Sequence, residues 1–158
     1  MARKLMVILG IFVMGVMLTS NIALAERIRC QGGVCRGTQQ ADVMSGTSGA
    51  DQIFSEAGND EVTARGGNDR VNGGSGNDLI FGEEGNDRLD GGTGADRIVG
   101  GDGVDILFSG SGNDTIDAAS GEGLGPLADT VDCDAGFDTV IADKLDKVSS
   151  NCEQVTRV

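Results

Sequence analysis

Histidine, tryptophan and tyrosine are absent from this 158-residue chain, and proline occurs once. Without histidine, neither a Ser-His-Asp nor a Cys-His relay can be assembled, and an HExxH metal helix is excluded as well. Cations are scarce: 12 Lys and Arg stand against 25 Asp and Glu, for a net charge of −13. Phosphate backbones are held by clustered Lys and Arg, so nucleic acid is excluded as a natural partner and an anionic membrane surface is disfavoured. Cations are the natural counterpart. The length leaves room for one domain with small ends.

Long apolar runs are missing too, with one exception. Residues 5–18 are apolar throughout, follow Arg3 and Lys4, and precede the small-residue stretch Ala23-Leu24-Ala25. That pattern predicts a secretory signal peptide over residues 1–25, cleaved after Ala25; an uncleaved anchor is the alternative. The run is shorter than the roughly 20 residues of a membrane span, so no membrane insertion is expected after cleavage. Losing Arg3 and Lys4 deepens the charge from −13 to −15. The expected address is extracellular, cell-surface or periplasmic.

Four cysteines in an exported chain point to disulfides. Cys30 and Cys35 lie early, Cys133 and Cys152 late. Three connectivities are possible; the local pairs Cys30–Cys35 and Cys133–Cys152 are favoured because each would staple one end. A zinc site is disfavoured by the absence of histidine and of C-x-x-C spacing.

Glycine is abundant, with 27 residues, but it falls at fixed offsets. Nine aspartates stand nine residues apart: Asp42, Asp51, Asp60, Asp69, Asp78, Asp87, Asp96, Asp105 and Asp114. An apolar residue follows each by two positions, from Met44 and Ile53 to Leu107 and Ile116, and a glycine precedes most by two. The unit reads G-G-x-G-x-D-x-U-x with U aliphatic, best kept in residues 73–81 and 91–99. Such glycines allow tight turns, and Asn59, Asn68, Asn77, Asn86 and Asn113 before the aspartates tolerate left-handed geometry. The x-U-x that follows is too short for a helix and suits a brief strand.

Turn and strand in alternation predict an all-β, right-handed parallel β-roll in which two nonapeptides make one 18-residue coil. Ile53, Val71, Leu89 and Leu107 would stack inward from one sheet, Val62, Ile80, Ile98 and Ile116 from the other. Aspartates 18 apart would then lie one strand spacing from each other, roughly 4.8 Å. Each such pair repels by about 1 kcal/mol in water, and more when buried. A divalent cation reverses that sign, and an all-oxygen donor set suits Ca²⁺ better than Mg²⁺. A core of single aliphatic rows is too thin to order the chain unaided, so the cation is expected to be a folding ligand.

The nonapeptides resemble the RTX, or hemolysin-type, calcium-binding repeat family. The resemblance implies several Ca²⁺ ions held between successive turns of one edge, by an aspartate from each turn plus glycine-loop carbonyls. The carboxylate ligands implied are Asp60, Asp78, Asp96 and Asp114 on one edge, and Asp51, Asp69, Asp87 and Asp105 on the other. The loop glycines are Gly73, Gly74, Gly76, Gly82, Gly85, Gly91, Gly92, Gly94, Gly100, Gly101 and Gly103. Gln39, Gln40, Ser55-Glu56 and Ala64-Arg65 replace early glycines, which makes Asp42, Asp51 and Asp60 the weaker candidates.

The predicted organisation is a signal peptide at 1–25, an N-terminal cap at 26–41, the roll at 42–117, a Gly-rich loop at 118–128 and a C-terminal β cap at 129–158. Asp129 and Asp138 resume the nine-residue interval in that cap, without the Gly-Gly turn. Phe54, Phe81 and Phe108 should point outward, and Arg70, Arg88 and Arg97 should pair with acids across strands. The leading function is a secreted, non-enzymatic calcium-binding repeat protein. A calcium-dependent structural or adhesive surface component is the alternative, with an unidentified protein or surface partner. A secreted-enzyme module ranks lower, since only residues 26–41 separate the predicted signal from the array.

Overall fold

The structure, a computed structural model, describes residues 25–119 and 127–158. The expected signal segment, apart from Ala25, lies outside the described residues, as does most of the Gly-rich stretch at 118–128. Fifteen strands and no helix occur among the described residues. They are β1 (Glu26–Arg29), β2 (Gly33–Arg36), β3 (Asp42–Ser45), β4 (Asp51–Phe54), β5 (Glu61–Gly66), β6 (Arg70–Asn72), β7 (Leu79–Glu84) and β8 (Arg88–Thr93). The rest are β9 (Arg97–Asp102), β10 (Ile106–Ser111), β11 (Thr115–Asp117), β12 (Thr130–Asp132), β13 (Thr139–Ala142), β14 (Lys147–Val148) and β15 (Gln154–Arg157).

Successive strands alternate between two parallel sheets. Odd-numbered strands make one sheet in chain order, even-numbered strands the other. Pairing joins each strand to the strand two later, so Val62 lies beside Ile80 and Ile80 beside Ile98. Opposite them, Ile53 aligns with Val71 and Val71 with Leu89. This is the expected two-sheet roll with 18 residues per coil. All eight expected core residues are buried, with at most 1% of their surface exposed. From β3 to β13 each strand buries the apolar residue two positions after its aspartate, because period-2 alternation turns the flanking residues outward.

Several middle strands are longer than x-U-x predicts. β8 and β10 run on through their turn residues, so Gly92 pairs with Gly110 and Thr93 with Ser111. Without side chains to separate them, glycine backbones of adjacent coils stack closely enough to extend the ladder.

The end segments continue the same two sheets. β1 and β2 pair with β3 and β4. At the other end β12 pairs with β10 and β13 with β11, placing Val131 on Leu107 and Val140 on Ile116. That coil spans 24 residues rather than 18 (the excess falls between β11 and β12), and the stack absorbs it without losing register. Cys30–Cys35 joins the ends of β1 and β2 with Cα atoms 5.5 Å apart, and Cys133–Cys152 spans 5.2 Å at the far end. Both local pairings are therefore as expected.

On the outer faces, Phe54, Phe81 and Phe108 point away from the core, as their position after U requires. Two of them are roofed by arginine: Arg36 lies 4.6 Å from the Phe54 ring centre and Arg88 4.2 Å from that of Phe108. Arg88 thus stacks on an aromatic face, where an acidic partner was expected. A guanidinium gains more over a ring that shields it than from an exposed carboxylate. Arg36 also forms an ion pair with Glu56 at 2.6 Å.

Candidate metal centres along the two edges

Each turn ends on an aspartate whose side chain folds back into the turn rather than outward to solvent. Asp42, Asp51, Asp60, Asp69, Asp78, Asp87, Asp96, Asp105 and Asp114 are at most 3% exposed. One oxygen of each later carboxylate accepts the backbone N–H of the aspartate one coil earlier. The Asp78 N–H donates to Asp96 Oδ1 at 2.8 Å, and the Asp87 N–H to Asp105 Oδ1 at 2.8 Å. The bond repeats from Asp42 N–H onto Asp60 through Asp114 N–H onto Asp138. Two ladders result: Asp60, Asp78, Asp96 and Asp114 on one edge, and Asp51, Asp69, Asp87 and Asp105 on the other, as expected from the 18-residue spacing.

The other oxygen is the informative one. In Asp60, Asp69, Asp78, Asp87, Asp96, Asp105, Asp114, Asp129 and Asp138, Oδ2 is buried without any hydrogen-bond partner. A buried, unpaired carboxylate oxygen is costly. In Asp78, Asp87, Asp96 and Asp105 it lies inside the turn, against the glycine five residues earlier. A Cβ added at Gly91 would come 2.6 Å from Asp96 Oδ2 and 2.6 Å from the Ser109 carbonyl oxygen of the next coil. Gly73, Gly82 and Gly100 face the Oδ2 atoms of Asp78, Asp87 and Asp105 at 2.7, 2.5 and 2.6 Å in the same way. Oxygens from two coils thus converge on a cradle kept open by the missing side chain.

Turn shape follows from the next glycine. Gly74, Gly92 and Gly101 sit at φ of +90°, +100° and +105°, a conformation L side chains rarely adopt. Glu56, Arg65 and Glu83 occupy the same place with φ of +74°, +82° and +72°. Ser55-Glu56 therefore leaves the turn before Asp60 with the same backbone as the glycine turns, and Asp60 Oδ2 remains unpaired. Gly76, Gly85, Gly94 and Gly103, two residues before their aspartates, are also left-handed. Each packs its bare Cα against the carbonyl of its counterpart one coil earlier, for example Gly94 against Gly76.

Asp42 and Asp51 are placed differently. The Thr38 N–H and hydroxyl donate to Asp42 Oδ2 at 2.6 and 3.0 Å, and those of Thr47 to Asp51 Oδ2 at 2.7 and 2.8 Å. In these two aspartates the turn-facing oxygen is filled by the chain's own donors, and only Oδ1 lacks a partner. Asp51 was expected to ligate with the others; its geometry sets it apart from them.

Electrostatics mark the middle of the ladders. Burial pushes Asp78, Asp87 and Asp129 up to about 7, and Asp96 to about 6. The N–H bond from the preceding coil opposes that rise, and neighbouring carboxylates reinforce it, as Asp96 and Asp60 do for Asp78. Asp60, Asp69, Asp105 and Asp138 are raised for the same first reason, burial. A divalent cation between coils would remove both the solvation deficit and the repulsion.

Among the described residues no three His, Cys, Asp or Glu side chains converge on one point. Two carboxylates per gap, with backbone carbonyls completing the set, is therefore the donor arrangement on offer. It is all oxygen, as Ca²⁺ requires at a coordination number of 6–8. Three features escape the nonapeptide pattern. Asp129 and Asp138 join the ladders through the 24-residue coil; their mutual nine-residue spacing is the visible signal. Thr38 and Thr47 act as internal donors at positions that read as lost glycines. Asparagines form an outer rung: the Asn77 N–H donates to Asn59 Oδ1 at 2.9 Å, the Asn86 N–H to Asn68 Oδ1 at 3.0 Å.

A family model described as RTX calcium-binding nonapeptide repeat (4 copies) matches residues 36–71, 63–98, 81–116 and 90–123, together more than half of the chain. Comparison with curated proteins gives no match.

Proposed function

Because the chain belongs to the RTX calcium-binding nonapeptide repeat family, we propose that it is a secreted, non-enzymatic protein that folds by taking up several Ca²⁺ ions between successive turns. One observation carries this reading. A column of buried carboxylates on each edge has one oxygen satisfied by backbone and the other left bare, in Asp78, Asp87, Asp96 and Asp105 inside a glycine cradle.

Within the matched repeats the bare oxygens of one edge belong to Asp60, Asp78, Asp96 and Asp114, which bound three gaps. On the other they belong to Asp69, Asp87 and Asp105, which bound two. Gly73, Gly82, Gly91 and Gly100 leave room for the ion; Gly74, Gly92 and Gly101 set the turn. Calcium supplies the positive charge that lets these carboxylates ionise in place. Affinity per site on the order of 10⁻⁴ to 10⁻³ M suits an extracellular module, so the chain stays unfolded where calcium is scarce and closes where it is plentiful.

The signal-like segment at 1–25 and the two disulfides support export into an oxidising compartment. The regular carboxylate spacing is accounted for by cation binding, and without histidine the common nucleophilic relays are unavailable. Far-UV circular dichroism during a calcium titration tests the central claim. Strand signal should rise with millimolar Ca²⁺ and collapse with chelator; a chelated chain that keeps its full strand content overturns it.

A further inference from the structure

The turn at residues 133–138, Cys-Asp-Ala-Gly-Phe-Asp, lies outside all four matched stretches and lacks the Gly-Gly pair. Its backbone nevertheless repeats the glycine turns. Asp134 takes φ +51° where Gly92 and Gly110 take +100° and +90°, and Gly136 takes +156° where Gly112 takes +147°. The Ala135 N–H donates to the Gly110 carbonyl at 3.0 Å, and the Gly112 N–H to the Ala135 carbonyl at 2.9 Å. Thr93 makes the same exchange with Gly74 and Gly76, at 2.8 Å each.

The chemistry at its centre repeats as well. Asp138 is fully buried; its Oδ1 accepts the Asp114 N–H at 2.8 Å, and its Oδ2 has no partner. Asp114 Oδ2, one coil below, is equally unpaired. The Ser109 hydroxyl donates to the Cys133 carbonyl at 2.8 Å, which ties the two coils together at the start of these turns. Where glycine would relax the turn, covalent and polar ties hold it instead. Cys133, its first residue, is bonded to Cys152, and the Asp138 N–H donates to Glu153 Oε2 at 2.9 Å.

We propose that turns 109–114 and 133–138 form a further calcium site, with Asp114 and Asp138 as its carboxylate ligands, lying beyond the recognisable repeats. The proposal rests on the calcium-binding reading above and extends it to a turn whose sequence does not announce it. Disulfide and C-terminal segment do there what the Gly-Gly pair does elsewhere: they fix the turn before the ion arrives.

Terbium, a luminescent stand-in for Ca²⁺, can test this in the full chain, which contains no Trp or Tyr. A single indole therefore reports on the ions nearest to it. Phe137→Trp places one beside Asp138, and Val104→Trp places one beside Asp105 in the matched repeats; both side chains are exposed. Sensitised emission should appear in both variants and be displaced by Ca²⁺. Adding Asp138→Asn to the Phe137→Trp variant should lower its apparent Tb³⁺ affinity by about tenfold or more, while the Val104→Trp signal holds. Asp96→Asn, which disturbs the neighbouring gap, should leave the Phe137→Trp emission in place. Emission that survives Asp138→Asn, or that vanishes with Asp96→Asn instead, overturns the site. Darkness at Phe137→Trp alone does the same, whereas darkness at both reporters removes the calcium reading itself.

Discussion

The turn closed by Asp51 and the turn closed by Asp96 have the same length and bury the same carboxylate, yet they meet its charge differently. In the first, the Thr47 N–H and hydroxyl fill the turn-facing oxygen. In the second, Gly92 at φ +100° occupies the place of Thr47 and the oxygen is left bare. One residue type thus decides whether a turn completes itself or waits for an ion. The pattern recurs at the far end, where the Asp143 N–H donates to Asp146 Oδ2 at 2.6 Å. Self-completed turns flank a middle that is not.

Chelation should open that contrast widest. With Ca²⁺ removed, amide protection should be lost from β6 to β13, where bare oxygens crowd together. The Thr38 and Thr47 amides should change least, because their acceptors need no metal. Hydrogen exchange followed by mass spectrometry reads this directly, and a uniform loss across both regions breaks the distinction.

Acidity should partly replace the ion. Burial raises Asp78, Asp87 and Asp129 from 3.8 to about 7 and Asp96 to about 6 in the folded chain. A raised carboxylate destabilises the calcium-free fold above its folded value, where it must ionise. The penalty is relieved as pH falls through about 7 to 6 and is gone near the ordinary value of 3.8. Calcium-free protein should therefore gain strand signal between pH 8 and pH 5 in circular dichroism. A signal that falls over that range contradicts the account.

Single substitutions sharpen the comparison further. Asp87→Asn touches the gaps on both its sides and should weaken calcium binding by about tenfold or more in isothermal titration. Asp51→Asn keeps an acceptor for Thr47 and should leave the number of bound ions unchanged; losing one would return Asp51 to the ligands. The smallest effect is expected from Thr47→Val, which removes one hydroxyl donor. It should cost about 1 kcal/mol in urea unfolding with calcium affinity unaltered.

The fold was largely legible because its two periods are carried by different residue types. Aliphatics two residues after each aspartate announced the strands and their inward row, from Ile53 to Ile116. The nine-residue interval halved into two edges once two nonapeptides made a coil. What escaped notice was encoded in backbone conformation rather than residue type. Asp134 reproduces a glycine turn through φ alone, and Thr47 looks like a lost glycine until its donors are located. Asp129 and Asp138 were obscured by the lengthened coil, which turns an 18-residue spacing into 24. Arg88 was misread because composition suggested acids as its partners, whereas the register put Phe108 on the neighbouring strand.

The bond from each aspartate N–H to the carboxylate one coil later gives the stack a direction. Asp60 serves the amide of Asp42, Asp78 that of Asp60, and so on to Asp138 and Asp114. No coil can satisfy its own aspartate amide; the donor waits for the next coil to be laid down. Growth from the N-terminus therefore closes each level as the following one arrives, like courses of masonry locked from above. A chain delivered end first can be built in the order in which it emerges.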